Sequence, residues 1–66
     1  MEKGWTNIRN FNKAYLAEIA KEVLTDNNIE SVIINKKDSS YTTFGDIELY
    51  VREENAETAK QLIKEL

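Results

Sequence analysis

The stretch from Lys36 to Gly45, Lys-Lys-Asp-Ser-Ser-Tyr-Thr-Thr-Phe-Gly, holds the residues whose types could do chemistry. Lys36 and Lys37 can contact an anion, Asp38 adds a carboxylate, and Ser39, Ser40 and Tyr41 offer hydroxyls that both donate and accept. These residues form the candidate group for a ligand or protein partner, because binding residues collect on loops held by a rigid frame. The competing explanation is a solvated hairpin with Phe44 or Tyr41 tucked on the core edge, since turn formers are polar whether or not they bind. Asp38, Asp46 and Glu48 could in addition assemble into an acid–base pair or a divalent-cation site. No motif sets their spacing, Glu48 alternates outward on a strand, and no nucleophile or oxyanion motif accompanies them. Catalysis is therefore not expected, and neither a catalytic residue, a metal ligand nor a cofactor is assigned.

Composition narrows the classes further. The chain has no Cys and no His, which removes disulfides, thiolate nucleophiles, zinc sites built on those ligands and any imidazole switch. Nine Lys plus Arg against twelve Asp plus Glu leave a net charge of -3 with the signs interspersed, so neither nucleic acid nor an anionic membrane is an expected partner. Apolar runs such as Val32-Ile33-Ile34 are far too short to span a bilayer, and Met1-Glu2-Lys3-Gly4 lacks the pattern of a signal peptide. A cytoplasmic protein is expected. At 66 residues the whole chain, 1–66, reads as one domain that must be held by packing alone.

The elements that position the loop are legible from periodicity. Asp46 to Arg52 alternates Ile47, Leu49 and Val51 with Glu48, Tyr50 and Arg52, the pattern of a strand with one buried face. Trp5 to Phe11 reads as another strand in either of two phases; the phase with Ile8 inward is preferred, because the other would bury Arg9 with no evident partner. Asn12 is the expected N-cap of a first helix, with Phe11 and Leu16 as a hydrophobic staple and Leu16, Ile19, Ala20, Val23 and Leu24 as its buried stripe. Asn28 should take the left-handed conformation at its end, with Ile29 folded back. Glu30 to Asn35 reads as a strand with Val32 and Ile34 inward and Ile33 outward. A second helix follows from Arg52 or Asn55 to the end of the chain, with Ala56, Ala59, Leu62, Ile63 and Leu66 as its stripe.

The order strand, helix, strand, strand, helix predicts an α+β fold, a ferredoxin-like half-unit (βαββα). Its antiparallel sheet of three strands has the order 1-3-2, with both helices on one face. The first strand then has an open edge. On the outer face, Trp5, Ile33 and Tyr50 together could form an apolar patch for a partner or a second copy of the chain. RNA stacking on Trp5 and Tyr50 is disfavoured by Glu48 on the same face and by the negative charge.

The segments Ala17-Glu18-Ile19-Ala20-Lys21-Glu22-Val23-Leu24, Asn28-Ile29-Glu30-Ser31, Asp38-Ser39-Ser40-Tyr41, Gly45-Asp46-Ile47-Glu48-Leu49-Tyr50-Val51, Glu53-Glu54-Asn55-Ala56-Glu57 and Ala59-Lys60 carry a further signal. Through them the chain resembles a small bacterial domain family labelled putative prokaryotic signal-transducing proteins, described as similar to nitrogen-regulatory PII proteins. The resemblance implies a ferredoxin-like half-sheet, a bacterial cytosolic setting and a signalling role. PII-like proteins place their effector loop between the second and third strands, here Lys36 to Gly45. The expected function is thus a non-enzymatic regulatory module that binds a small ligand or a protein partner through that loop. The alternative is a structural domain that self-associates, as a homodimer, through the sheet edge or the outer face.

Overall fold

The computed structural model describes residues 4–36 and 47–66. Its elements are β1 (Trp5–Phe11), α1 (Ala14–Asp26), β2 (Ser31–Asn35), β3 (Ile47–Arg52), a 3-10 turn (Glu53–Asn55) and α2 (Ala56–Leu62). The strands form an antiparallel sheet in the order β1-β3-β2, as the sequence predicts. Ile47, Leu49 and Val51 on one face of β3 are at most 2% exposed. They form one core with Ala17, Ala20 and Leu24 of α1 and Ala59 and Ile63 beyond, so both helices cover the same side of the sheet.

The stripe of α1 is rotated from the expected one. Ala17 is fully buried, while Ile19 is exposed. The small Ala17 and Ala20 let the helix approach the sheet closely, and Leu16 and Val23 flank that contact. The helix is capped not by Asn12 but by Lys13, whose extended backbone presents its carbonyl to the N–H groups of Leu16 and Ala17. Phe11 serves the core directly, opposite Ile47. The C-terminus of α1 follows expectation. Asn28 has φ 64°, its N–H donates to Thr25 O (3.0 Å), and the Ile29 N–H donates to Leu24 O (2.9 Å). This pair of bonds is a Schellman closure, which folds Ile29 into the core.

That closure sets the phase of β2. Counting by twos from buried Ile29 brings Ser31, Ile33 and Asn35 to the helix-covered face, where they lie opposite Val51, Leu49 and Ile47. Ile33 therefore faces the core, contrary to the expectation, and Val32 and Ile34 lie on the outer face opposite Tyr50 and Glu48. Three consecutive β-branched residues contain no alternation from which a phase could be read.

Strand β1 uses both of its possible phases. The register against β3 shifts between Asn7 and Arg9, a β-bulge with Ile8 as the extra residue. Thr6 faces inward before the bulge, opposite Val51; Arg9 and Phe11 face inward after it, opposite Leu49 and Ile47. Arg9 is not stranded there. Its guanidinium donates to the main-chain oxygens of Ile63 (3.2 Å) and Leu66 (2.7 Å), just past the end of α2, where the Ile63 oxygen also accepts the Leu66 N–H (3.0 Å). The same group lies 5.3 Å from the Phe11 ring centroid.

Arg52 and Asn55 both act as boundaries, the first of the 3-10 turn and the second of α2. The helix ends at Leu62, and Leu62 is about a third exposed because the inward positions are Ala59 and Ile63. Gly4, with φ 93°, turns the chain so that its carbonyl accepts the Glu53 N–H at 2.8 Å. This contact ties the start of β1 to the end of β3.

Candidate functional site

The face of the sheet turned away from the helices is built in rows, because directly opposed residues of antiparallel strands share a face. Trp5 lies opposite Arg52, Asn7 and Val32 flank Tyr50, and Asn10 and Ile34 flank Glu48. In the first row the Arg52 guanidinium sits 4.8 Å from the Trp5 ring centroid, a cation–π contact that braces the indole at the sheet corner. In the last row the Tyr50 hydroxyl donates to Glu48 Oε1 at 2.9 Å, and Lys36 Nζ approaches the same oxygen at 3.6 Å. The Glu48 side chain is only 19% exposed, whereas that of Lys36 is 61% exposed. The carboxylate is therefore a covered acceptor and the ammonium the reachable end of the chain Lys36–Glu48–Tyr50. Accepting the phenolic proton, the Glu48 carboxylate raises the pKa of Tyr50 above its usual 10.0, with desolvation and charge repulsion adding to the rise.

Of the loop candidates, Lys36 lies on this face; Lys37, Asp38, Ser39, Ser40 and Tyr41 lie outside the described residues, as does Asp46. Of the patch candidates, Trp5 and Tyr50 share the outer face, while Ile33 turns to the core and its place is taken by Val32 and Ile34. Sequence reasoning missed Arg52 and the shared role of Glu48. Both are legible once β1 and β3 are paired, because alternation from Tyr50 puts them on its face. Among the described residues no cluster of three or more acidic residues could hold a metal ion, and no helix is long and apolar enough to cross a membrane.

A concave feature lies on the other side, between α1 and the start of β2. It is a shallow groove of ≈ 410 Å³ lined by Lys21, Thr25, Asn28, Ile29, Glu30 and Ser31. The Ser31 hydroxyl is buried and has no hydrogen-bond partner among the described residues.

Fold and face together define a small α+β module in which, among the described residues, both helices cover one side of the sheet. The chain belongs to the family described as "Putative prokaryotic signal transducing protein", which matches residues 5–66. Neither the curated proteins nor the solved structures contain a match.

Proposed function

We propose that this domain is a non-enzymatic signalling module of the bacterial cytoplasm, PII-like in the placement of its effector loop, which binds a small ligand or a protein partner. Binding runs through the segment Lys36, Lys37, Asp38, Ser39, Ser40 and Tyr41 and the adjoining outer face. The observation that carries this reading is the Lys36–Glu48–Tyr50 chain, which anchors the root of the segment to that face and leaves the ammonium accessible. Family membership supports the signalling role. A thermal-shift screen against nucleotides and metabolites identifies the ligand class. Joint replacement of Lys36, Lys37, Ser39 and Ser40 leaves the melting temperature nearly unchanged and abolishes the ligand-induced shift or partner recovery; unaltered binding rejects the segment.

A second reading, a structural domain that self-associates, is favoured by the half-buried Trp5, Tyr50, Val32 and Ile34, which share the outer face. The mass in solution separates the two, since a monomer at high concentration leaves only the ligand-binding role.

A further inference from the structure

We infer that the groove between α1 and the start of β2 is a binding site for a free α-amino acid, held as a zwitterion between Lys21 and Glu30 with Ser31 at its floor. The groove lies at the opposite end of β2 from Lys36, and the inference does not rest on the reading above.

The buried hydroxyl is the first observation. Ser31 lines the groove, is only 8% exposed, and its Oγ has no hydrogen-bond partner among the described residues. Its register position opposite Val51 sets it on the sheet face that α1 covers, so it is directed towards the helix whose Lys21 and Thr25 form the facing wall. A hydroxyl buried bare costs stability, and a ligand atom that hydrogen-bonds to it offsets that cost.

Charge selects the ligand. Lys21 on the helix wall and Glu30 on the strand side are both exposed, and among the described residues neither makes an ion pair. A simple anion would be attracted by Lys21 and repelled by Glu30, and a simple cation the reverse; a zwitterion satisfies both. The carboxylate of the amino acid takes the Lys21 ammonium and the Ser31 hydroxyl, and its ammonium takes Glu30. The end of α1 reinforces the second contact, because Thr25 and Asn28 lie at the negative end of the helix dipole. At ≈ 410 Å³ the groove is near the small end of ligand clefts, which suits a compact molecule.

The test is NMR titration of the isotope-labelled full chain with single free amino acids up to ~10 mM, a ceiling matched to the weak affinity of a shallow site. At least one amino acid is expected to shift the amides of Lys21, Thr25 and Asn28 to Ser31 saturably, whereas acetate, methylamine and the N-acetyl amide of the same amino acid do not. Ser31→Ala and Glu30→Gln, neither of which should lower the melting temperature, each weaken binding by about tenfold, the loss of one charge-assisted hydrogen bond. Joint replacement of Lys36, Lys37, Ser39 and Ser40 leaves this binding unaltered. The absence of a saturable shift with every amino acid, equal shifts with acetate or methylamine alone, or binding that neither Ser31→Ala nor Glu30→Gln weakens overturns the proposal. Shifts confined to the far end of β2 overturn it too, and favour the segment that begins at Lys36.

Discussion

Strands β1 and β2 flank the same central strand, and at Leu49 they do so with very different residues, Arg9 on one side and Ile33 on the other. On the β2 side the contact is apolar, in register and complete. On the β1 side a charged residue occupies a core-facing position, held by main-chain oxygens past the end of α2. The bulge makes this possible, because the extra residue at Ile8 moves Arg9 to the inner face. The side chain of Asn7, at the shift, reaches the Leu49 and Arg9 carbonyls at 3.4 Å, the long limit of hydrogen bonding. The comparison teaches that one strand of a small sheet can be spent on closing a helix end while its counterpart stays regular.

Three substitutions probe this difference, taken from the largest expected effect to the smallest. Arg9→Met keeps the apolar stem and removes the donors. It should destabilise the domain by about 1.5 kcal/mol, the low end for charge-assisted bonds because the site is half open to water. The loss should be concentrated around α2, so faster amide exchange after Ala59 with unchanged exchange in β2 bears out the division, and uniform loss breaks it.

On the β2 side, Ser31→Ala removes a buried hydroxyl that has no partner among the described residues. Stability measured by urea unfolding should be unchanged or should rise by up to about 1 kcal/mol, because a wet hydroxyl no longer has to be buried bare. A clear fall would show that β2 carries a polar contact of its own and is less different from β1 than its apolar register suggests.

The smallest effect concerns the outer face of β3, between the two strands. The folded-state pKa of Tyr50 lies above the unfolded value of 10.0. The stability linked to its protonated hydroxyl is thus fully present below pH 10 and is lost as the pH rises through the folded-state pKa. Absorbance titration should show one tyrosine ionising late, and Glu48→Gln should bring it back towards the ordinary value. An unchanged titration would mean that Glu48 does not accept the phenolic proton.

Much of the architecture is legible in the sequence. The alternation of Ile47, Leu49 and Val51 identified the buried face of the central strand, and Asn28 followed by Ile29 identified a left-handed helix end, because each depends on residues close in sequence. The candidate site was legible only in part. Trp5, Tyr50 and Lys36 stand on the outer face, but Ile33 does not, and the link from Lys36 to Tyr50 runs through the Glu48 carboxylate.

The sequence by itself determined the element order, the strand order and the side of β3 that meets the helices, since hydrophobic periodicity is a local property that burial must obey. Only the tertiary structure decided the phase of β2, the bulge in β1, the rotation of α1 onto Ala17 and the partner of Arg9. Each of these depends on a residue distant along the chain: the uniform run Val32-Ile33-Ile34 takes its phase from the closure at Ile29, and the inward arginine is tolerable because oxygens more than fifty residues away lie within its reach.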